Sequence, residues 1–247
     1  MGVTVSRVAS DLPAPLVVLY HAGASQAVLD AWPEATIISE THPGFKNWYT
    51  HIGEDGLVSI PDLISAAGLS ESDVSHIVLV GFSEGTQGVR TQMLAGVRPS
   101  AVLAVDGIHT KPEVWADIIA RARTMNAAAT VTHSSIQPGT YKSTTQIAAE
   151  LVFPDVEQAV DPSDNGLPYQ MTSYYQDGYF RVVGYSGSDA QAHVFQGQRV
   201  LPAELAIIRD ELSGVAPSQV SSSSSSLLLL GILGVTAVGV WWMLRKK

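Results

Sequence analysis

A serine, an aspartate and a histidine stand along the chain in an order that could support nucleophilic catalysis. Ser83 is the central residue of a Gly-x-Ser-x-Gly motif, and Asp106 and His193 follow it. A serine hydroxyl is a poor nucleophile at neutral pH. It needs an imidazole to accept its proton and a carboxylate to hold that imidazole in the right tautomer. Together the three residues indicate acyl transfer through a covalent intermediate on the serine.

The segments on either side of Ser83 predict the local structure that this chemistry needs. Residues 76–82 contain four consecutive apolar residues, which is typical of a strand buried on both faces. Residues 86–95 carry apolar side chains at helical spacing. Strand, sharp turn and helix form a nucleophile elbow, in which Gly81 and Gly85 let the strand and the helix approach each other. The alternative is an ordinary glycine-rich turn, because the five-residue pattern alone is a weak signal.

The carboxylate has two candidates. Asp106 directly follows the buried strand predicted at 101–105, whereas Asp189 is close to His193 in sequence. Asp106 is the preferred acid because it stands at a strand end, although an Asp-Gly pair is also a common turn former. Asp177 precedes a predicted strand and is expected at the opposite end of the sheet.

Strands and helices alternate along the chain from about residue 15 to residue 212. Such alternation predicts an α/β fold with a mostly parallel sheet of about six strands and helices on both faces. Functional sites in such sheets lie at the carboxyl ends of the strands, where Ser83, Asp106 and the loop holding His193 are expected. We therefore predict one globular domain over residues 1–216.

The Gly-x-Ser-x-Gly motif and the chain order Ser, Asp, His resemble the α/β-hydrolase superfamily, and the compact length is similar to its cutinase-type and esterase members. The resemblance covers about residues 15–212. It implies a serine hydrolase that cleaves an ester or, as a second choice, an amide, without a cofactor. It makes Ser83 the nucleophile and His193 the base, in the loop after the last strand. The superfamily often carries its acid after the strand that ends at 133–135, where no carboxylate stands, and Asp106 matches a variant position one strand earlier.

The same resemblance implies two backbone donors for the oxyanion of a tetrahedral intermediate. The first is the N–H of Glu84, the residue after the serine. The second comes from the loop after the first strong strand, at Ala22 or Gly23. Such donors supply a large part of acyl-transfer catalysis. The Glu84 side chain would make the mouth of the site acidic, although a carboxylate at a helix start is often only a solvated group that the dipole favours.

Two other interpretations use the same part of the chain differently. His21, His109 and His133 fall near strand ends and could join Asp106 in a zinc site, but no short ligand spacing supports a metal and none is predicted. The missing acid at its usual position favours a catalytically silent hydrolase fold that serves as a membrane-anchored binding or assembly protein. Residues 153–177 show no clear period and predict an irregular segment, and the tyrosine-bearing residues 153–185 could cover the site or form a surface loop.

The charge balance disfavours one class of partner. Fourteen basic and 23 acidic residues give a net charge of −9, and three of the basic residues close the chain, so the part before them carries −12. This balance disfavours nucleic acid and anionic lipid headgroups as partners of the domain. The absence of cysteine rules out disulfides and a cysteine nucleophile. The predicted partner is a small-molecule or lipid-like ester, and no oligomeric state is predicted.

The C-terminal end has the composition of a linker followed by a membrane anchor. Residues 217–226 end in a run of six serines, which predicts a linker. Residues 227–244 carry no charge over 18 positions and predict a single membrane-spanning helix, followed by the basic tail 245–247. No signal peptide is visible, which favours a tail-anchored protein with a cytoplasmic domain, whereas the basic end favours a domain outside.

Overall fold

The computed structural model describes residues 2–42, 48–108, 112–137, 142–151 and 169–214. Eight strands lie in these ranges: β1 (Gly2–Arg7), β2 (Ala14–Tyr20), β3 (Thr36–Thr41), β4 (Val74–Phe82), β5 (Ala101–Val105), β6 (Ala128–His133), β7 (Met171–Asp177) and β8 (Phe180–Tyr185). The α-helices of the same ranges are α1 (Gln26–Ala31), α2 (Ile60–Ala66), α3 (Thr86–Leu94), α4 (Pro112–Thr124), α5 (Thr144–Glu150), α6 (Ala190–Phe195) and α7 (Leu201–Leu212).

The strands form one sheet in the order β1-β3-β2-β4-β5-β6-β8-β7. The six strands from β3 to β8 in that order are parallel, and β1 and β7 pair antiparallel at the two edges. The predicted α/β class and mostly parallel sheet are confirmed, with eight strands in place of about six. The prediction of irregular structure up to Asp177 was wrong for β7. Residues 152–168 of that stretch lie outside the described ranges.

The core lies on both faces of the sheet because successive side chains of the parallel strands point to opposite faces. In β2, Leu16 and Val18 join one apolar cluster, and Val17 and Leu19 join the other. The first cluster is covered by α2, α3, α4 and α5, and the second by α1 and α7. This three-layer packing explains why the strands have near-continuous apolar sequences.

Two helices begin at serine caps that the sequence displays. The Ser25 hydroxyl accepts a hydrogen bond from the Val28 N–H at the start of α1, and the Ser59 hydroxyl accepts one from the Asp62 N–H at the start of α2. Each cap satisfies a backbone donor that lacks a partner within the helix. A proline in the first turn of α2 fits the same start, because its missing N–H costs nothing there.

A buried ion cluster fixes α7 to the sheet. Arg181 of β8 lies 3.1 Å from Glu204 and 3.1 Å from Glu211, both on α7, and its guanidinium donates to the Thr130 hydroxyl of β6 at 2.9 Å. Burial raises the pKa of both glutamates, and the arginine opposes that rise. The cluster therefore joins two strands and the last described helix through ion pairs and charge-assisted hydrogen bonds.

The C-terminal end of α7 lies at the amino ends of two central strands. Leu212 and Ser213 line the same surface depression as Pro15, at the start of β2, and His76, near the start of β4. The last described residues thus lie at the amino ends of these strands, and the carboxyl ends lie on the opposite side of the domain.

The predicted linker 217–226, the predicted span 227–244 and the tail 245–247 lie outside the described residues. Within the described ranges, none of the helices has the length and apolar character that crossing a bilayer requires.

Candidate active site

Four parallel strands end level with one another and bring polar residues to one edge of the sheet. Tyr20 of β2 pairs in register with Gly81 of β4, Phe82 with Val105 of β5, and Val105 with Thr132 of β6. The order in which strands are added to the sheet reverses between β2 and β4, because β3 lies on one side of β2 and β4 lies on the other. Crevices at such a switch point are the usual ligand sites of open α/β sheets.

Ser83 sits on a strained turn between β4 and α3. Its φ angle is 53°, a left-handed conformation that serine rarely adopts. The flanking glycines leave no room for a side chain. A Cβ on Gly81 would lie 2.4 Å from the Thr86 Cα, and a Cβ on Gly85 would lie 2.0 Å from the Tyr20 carbonyl oxygen. Strand, turn and helix thus have the close approach of a nucleophile elbow.

The turn at Ser83 is tied to the turn that follows β5. The Thr86 hydroxyl lies 2.8 Å from the Ser83 carbonyl oxygen and 2.8 Å from that of Gly107. A Cβ on Gly107 would lie 2.2 Å from the same Ser83 oxygen. Asp106, the residue before this glycine, has a φ of 42°. The two strained residues are therefore held side by side.

The Asp106 carboxylate is fully buried and is bound by side chains from three segments. The hydroxyl of Ser134 lies 2.9 Å from each carboxylate oxygen, and that of Thr144 donates to Oδ1 at 2.5 Å. Nδ1 of His193 lies 2.7 Å from Oδ2. A carboxylate that holds the Nδ1 proton leaves the other ring nitrogen, Nε2, as the one able to accept a proton.

The loop predicted to hold His193 is a helix. His193 lies in α6, and its side chain keeps 20% of its surface exposed. Its ring stacks on Phe82, the residue before Ser83, with 4.6 Å between ring centres. The imidazole therefore bridges the buried acid and the turn that carries the serine.

The sheet order, the strained turn and the Ser, Asp, His order meet in one arrangement. The fold is α/β-hydrolase-like. No family model and no curated protein matches the sequence. Among solved structures, the chain is similar to YbtT, a type II thioesterase from the yersiniabactin NRPS/PKS biosynthetic pathway. The identity is 15% and the TM-score 0.39, with 87% of this chain and 99% of that chain covered.

In this α/β-hydrolase-like fold Asp189 occupies a capping position. Its carboxylate accepts a hydrogen bond from the Ala192 N–H at 2.8 Å, at the start of α6, and another from the Tyr169 hydroxyl at 3.1 Å. The backbone bond lowers the pKa of this exposed carboxyl. Asp177, at the end of β7, forms an exposed ion pair with Arg123 at 2.7 Å.

The loop after β2 lies directly beside the elbow of the α/β-hydrolase-like fold. A Cβ on Gly85 would meet His21 as well as Tyr20, and His21 has a φ of 59°. Ala22 and Gly23 follow immediately, and the carbonyl of Gly23 accepts a hydrogen bond from the Ser25 N–H at 3.0 Å. Both segments that were predicted to supply oxyanion donors are thus adjacent at the switch point.

The predicted histidines have separate environments. Burial lowers the pKa of His21 to about 4, with the neighbouring His193 and His42 adding to the effect. Burial likewise lowers the pKa of His133 to about 4. No group of three or more His, Cys, Asp or Glu side chains in the described ranges is arranged to hold a metal ion. His109, the fourth member of the zinc hypothesis, lies outside those ranges.

The sequence did not predict a series of hydrogen bonds that links the end of α6 to the end of β5. The Thr132 hydroxyl accepts from the Asp106 N–H at 3.1 Å and donates to the buried Gln196 side chain at 2.5 Å. Gln196 begins a π-helical turn that runs to Val200. Nor did the sequence predict Ser134 and Thr144 as partners of Asp106. The sequence shows hydroxyl residues after β6, but only the fold shows that they bind the carboxylate of Asp106.

Proposed function

We propose that this protein is a serine hydrolase that cleaves an ester bond, or less readily an amide bond, through an acyl-enzyme. One observation carries the proposal: the buried Asp106 carboxylate lies 2.7 Å from Nδ1 of His193, beside a Ser83 that is held at a φ of 53°. A strained serine backed by an oriented imidazole is the arrangement that activates a hydroxyl for nucleophilic attack.

In the first half of the reaction, the Ser83 oxygen attacks the carbonyl carbon of the substrate. Nε2 of His193 takes the hydroxyl proton, and Asp106 stabilises the imidazolium that forms. The tetrahedral intermediate then collapses, the bond between the carbonyl carbon and the leaving oxygen breaks, and the imidazolium gives its proton to the leaving alkoxide. In the second half, water repeats these steps on the acyl-serine and releases the acid.

Backbone donors stabilise the negative oxygen in both intermediates. We assign the N–H of Glu84 and the N–H of Ala22 or Gly23 to this role. The adjacency of the loop after β2 and the elbow at Gly85 supports the assignment. Loss of one such donor typically costs about 10²–10³ in kcat.

We further propose that residues 227–244 anchor the domain to a membrane as a single helix, on the composition of that segment alone. The substrate is then a small-molecule or lipid-like ester available at that membrane. Two arginines at the centre of the segment, introduced as Leu233→Arg and Val238→Arg, would each cost about 3 kcal/mol in a bilayer. The double variant provides a matched full-length control.

The first experiment combines a fluorophosphonate probe with membrane fractionation. We expect the full chain to be labelled and to remain with membranes after a carbonate wash. The Ser83→Ala variant should lose the label and stay with the membranes. The double arginine variant should keep the label and move to the soluble fraction.

Each part of the proposal has its own contradicting result. A folded wild-type chain that takes no label would favour the catalytically silent alternative, a hydrolase fold used for binding or assembly. A Ser83→Ala chain that is still labelled would place the nucleophile elsewhere. A double arginine variant that stays in the membrane pellet would remove the anchor from the proposal.

A further inference from the structure

Glu84 is the one side chain that the sequence places directly after Ser83, and its carboxylate has no counter-charge in the described part of the chain. It forms neither an ion pair nor a hydrogen bond with the residues described, and it is half-buried. Burial raises the pKa of this carboxyl. A helix start would favour its charge, but here the loss of solvent outweighs that effect.

Tyr49 is within electrostatic reach of Glu84, and it lies beside His21. Tyr49 is buried, its carbonyl accepts a hydrogen bond from Thr91 of α3 at 2.7 Å, and its hydroxyl lies 3.3 Å from Nδ1 of His21. Burial raises the pKa of the Tyr49 phenol, and the negative charge of Glu84 raises it further. His21 is neutral near pH 7, since its pKa is about 4.

Two groups of side chains lie beside the elbow: Tyr49 with His21, and His193 with Phe82. Tyr49 connects α3 to His21, and the backbone of His21 abuts Gly85. Phe82, the residue before Ser83, stacks on His193. The residue before Ser83 thus belongs to an aromatic pair, and the residue after it carries a half-buried carboxylate.

We infer that Glu84 makes this site selective for esters that carry a positive charge near the scissile bond. The inference rests on the proposed function and names its substrate class. A cationic group beside Glu84 restores the favourable interaction that burial has removed from the carboxylate. An anionic ester meets repulsion from the same group.

The charge of the whole domain acts in the same direction. The part of the chain before the basic tail carries a net charge of −12. Clefts lined by one sign of charge concentrate ligands of the opposite sign and repel ligands of the same sign. The local carboxylate and the overall field thus favour the same class of substrate.

The test uses the full chain and matched acetyl esters of similar size. Their alcohols are choline, 3,3-dimethylbutan-1-ol and 2-hydroxyethanesulfonate, which are cationic, neutral and anionic. A second series carries the same three groups on the acyl side. The measured quantity is kcat/KM, compared between wild type, Glu84→Gln and the control Glu71→Gln. Glu71 is an exposed residue before β4, at the other edge of the sheet.

We expect wild type to prefer the cationic ester over its neutral isostere by about tenfold in at least one series, and Glu84→Gln to abolish that preference. Glutamine keeps the backbone N–H, so the ratio reports the lost charge and not a lost oxyanion donor. Glu71→Gln should keep the wild-type ratio. Hydrolysis without a charge preference, or a preference that survives Glu84→Gln, would overturn the inference alone. The absence of hydrolysis with every ester would overturn the proposed function, and this inference with it.

Discussion

Asp106 shows how much of a site depends on residues that carry no signal in a sequence. The aspartate itself could be predicted, because it follows a buried strand and precedes a glycine. Its partners Ser134 and Thr144 could not be predicted, since they reach it from 28 and 38 residues away. A serine after a strand is common, and only the register of β5 and β6 brings the Ser134 hydroxyl within hydrogen-bonding distance of the Asp106 carboxylate.

The choice between the two candidate acids is a prediction at the residue scale. Replacement of Asp106 by Asn should lower kcat by roughly 10³–10⁴, because an amide no longer holds the productive tautomer of His193. Replacement of Asp189 by Asn should change kcat by less than about threefold, because Asn caps a helix as well as Asp does. Kinetics on a p-nitrophenyl ester measure both. Equal losses in the two variants would show that Asp189 is part of the machinery.

Among the elements, the elbow could be predicted and α6 could not. The apolar run of β4 and the helical spacing in α3 identify both neighbours of Ser83. In contrast, α6 has only six residues and runs directly into the π-helical turn 196–200, which interrupts any periodic pattern. The edge strand β7 was not predicted for a related reason. Its side chains are mostly half-buried or exposed, and buried and exposed positions do not alternate regularly.

The close contact of β2 with the elbow gives a prediction at the element scale. Gly85→Ala should lower the free energy of unfolding by at least about 2 kcal/mol, because its methyl group would overlap backbone and force β2 away from the turn. Gly23→Ala is the matched control, since no atom lies within 4 Å of the added Cβ. Urea unfolding followed by circular dichroism measures both. A Gly85→Ala protein as stable as wild type would mean that the two segments are not in contact.

The stability of the whole domain should depend on pH through a buried histidine. His133 is 2% exposed, and its ring nitrogens lie 2.9 Å from the Thr145 hydroxyl and 3.2 Å from the Ser173 hydroxyl. Its pKa of about 4 lies below the ordinary value of 6.5. The unfolded chain therefore binds the additional proton between these values, and the free energy of unfolding falls as the pH decreases through that window.

Between pH 7.5 and pH 5 this residue should remove about 2 kcal/mol of stability. His133→Gln should be less stable than wild type at pH 7.5 but should lose less on acidification. The exposed His51 provides the control, His51→Gln. The midpoints of urea unfolding of each variant at the two pH values measure this loss of stability. An unchanged loss of stability in His133→Gln would assign the acid sensitivity to other groups.

At the scale of the whole molecule, composition and alternation were sufficient for the fold class and insufficient for the edge strand β7. Most residues of the six parallel strands are apolar and are buried under helices, so these strands could be predicted from the sequence. The ion cluster of Arg181, Glu204 and Glu211 that fixes α7 left no trace in the sequence, because charged residues on an amphipathic helix normally face solvent. Which charges are buried depends on how the helix docks against the sheet.

The place where α7 ends has a consequence for how substrate arrives. The described chain leaves the domain at the amino ends of β2 and β4, whereas Ser83 lies at their carboxyl ends. If residues 227–244 anchor the chain as we propose, a flexible linker of ten residues would reach about 17 Å on average, which is less than the roughly 40 Å width of a domain of this size. Such a tether would hold the end of the sheet that carries Ser83 away from the bilayer, and hydrophilic esters diffusing in from solution would reach the serine more readily than lipids from the membrane.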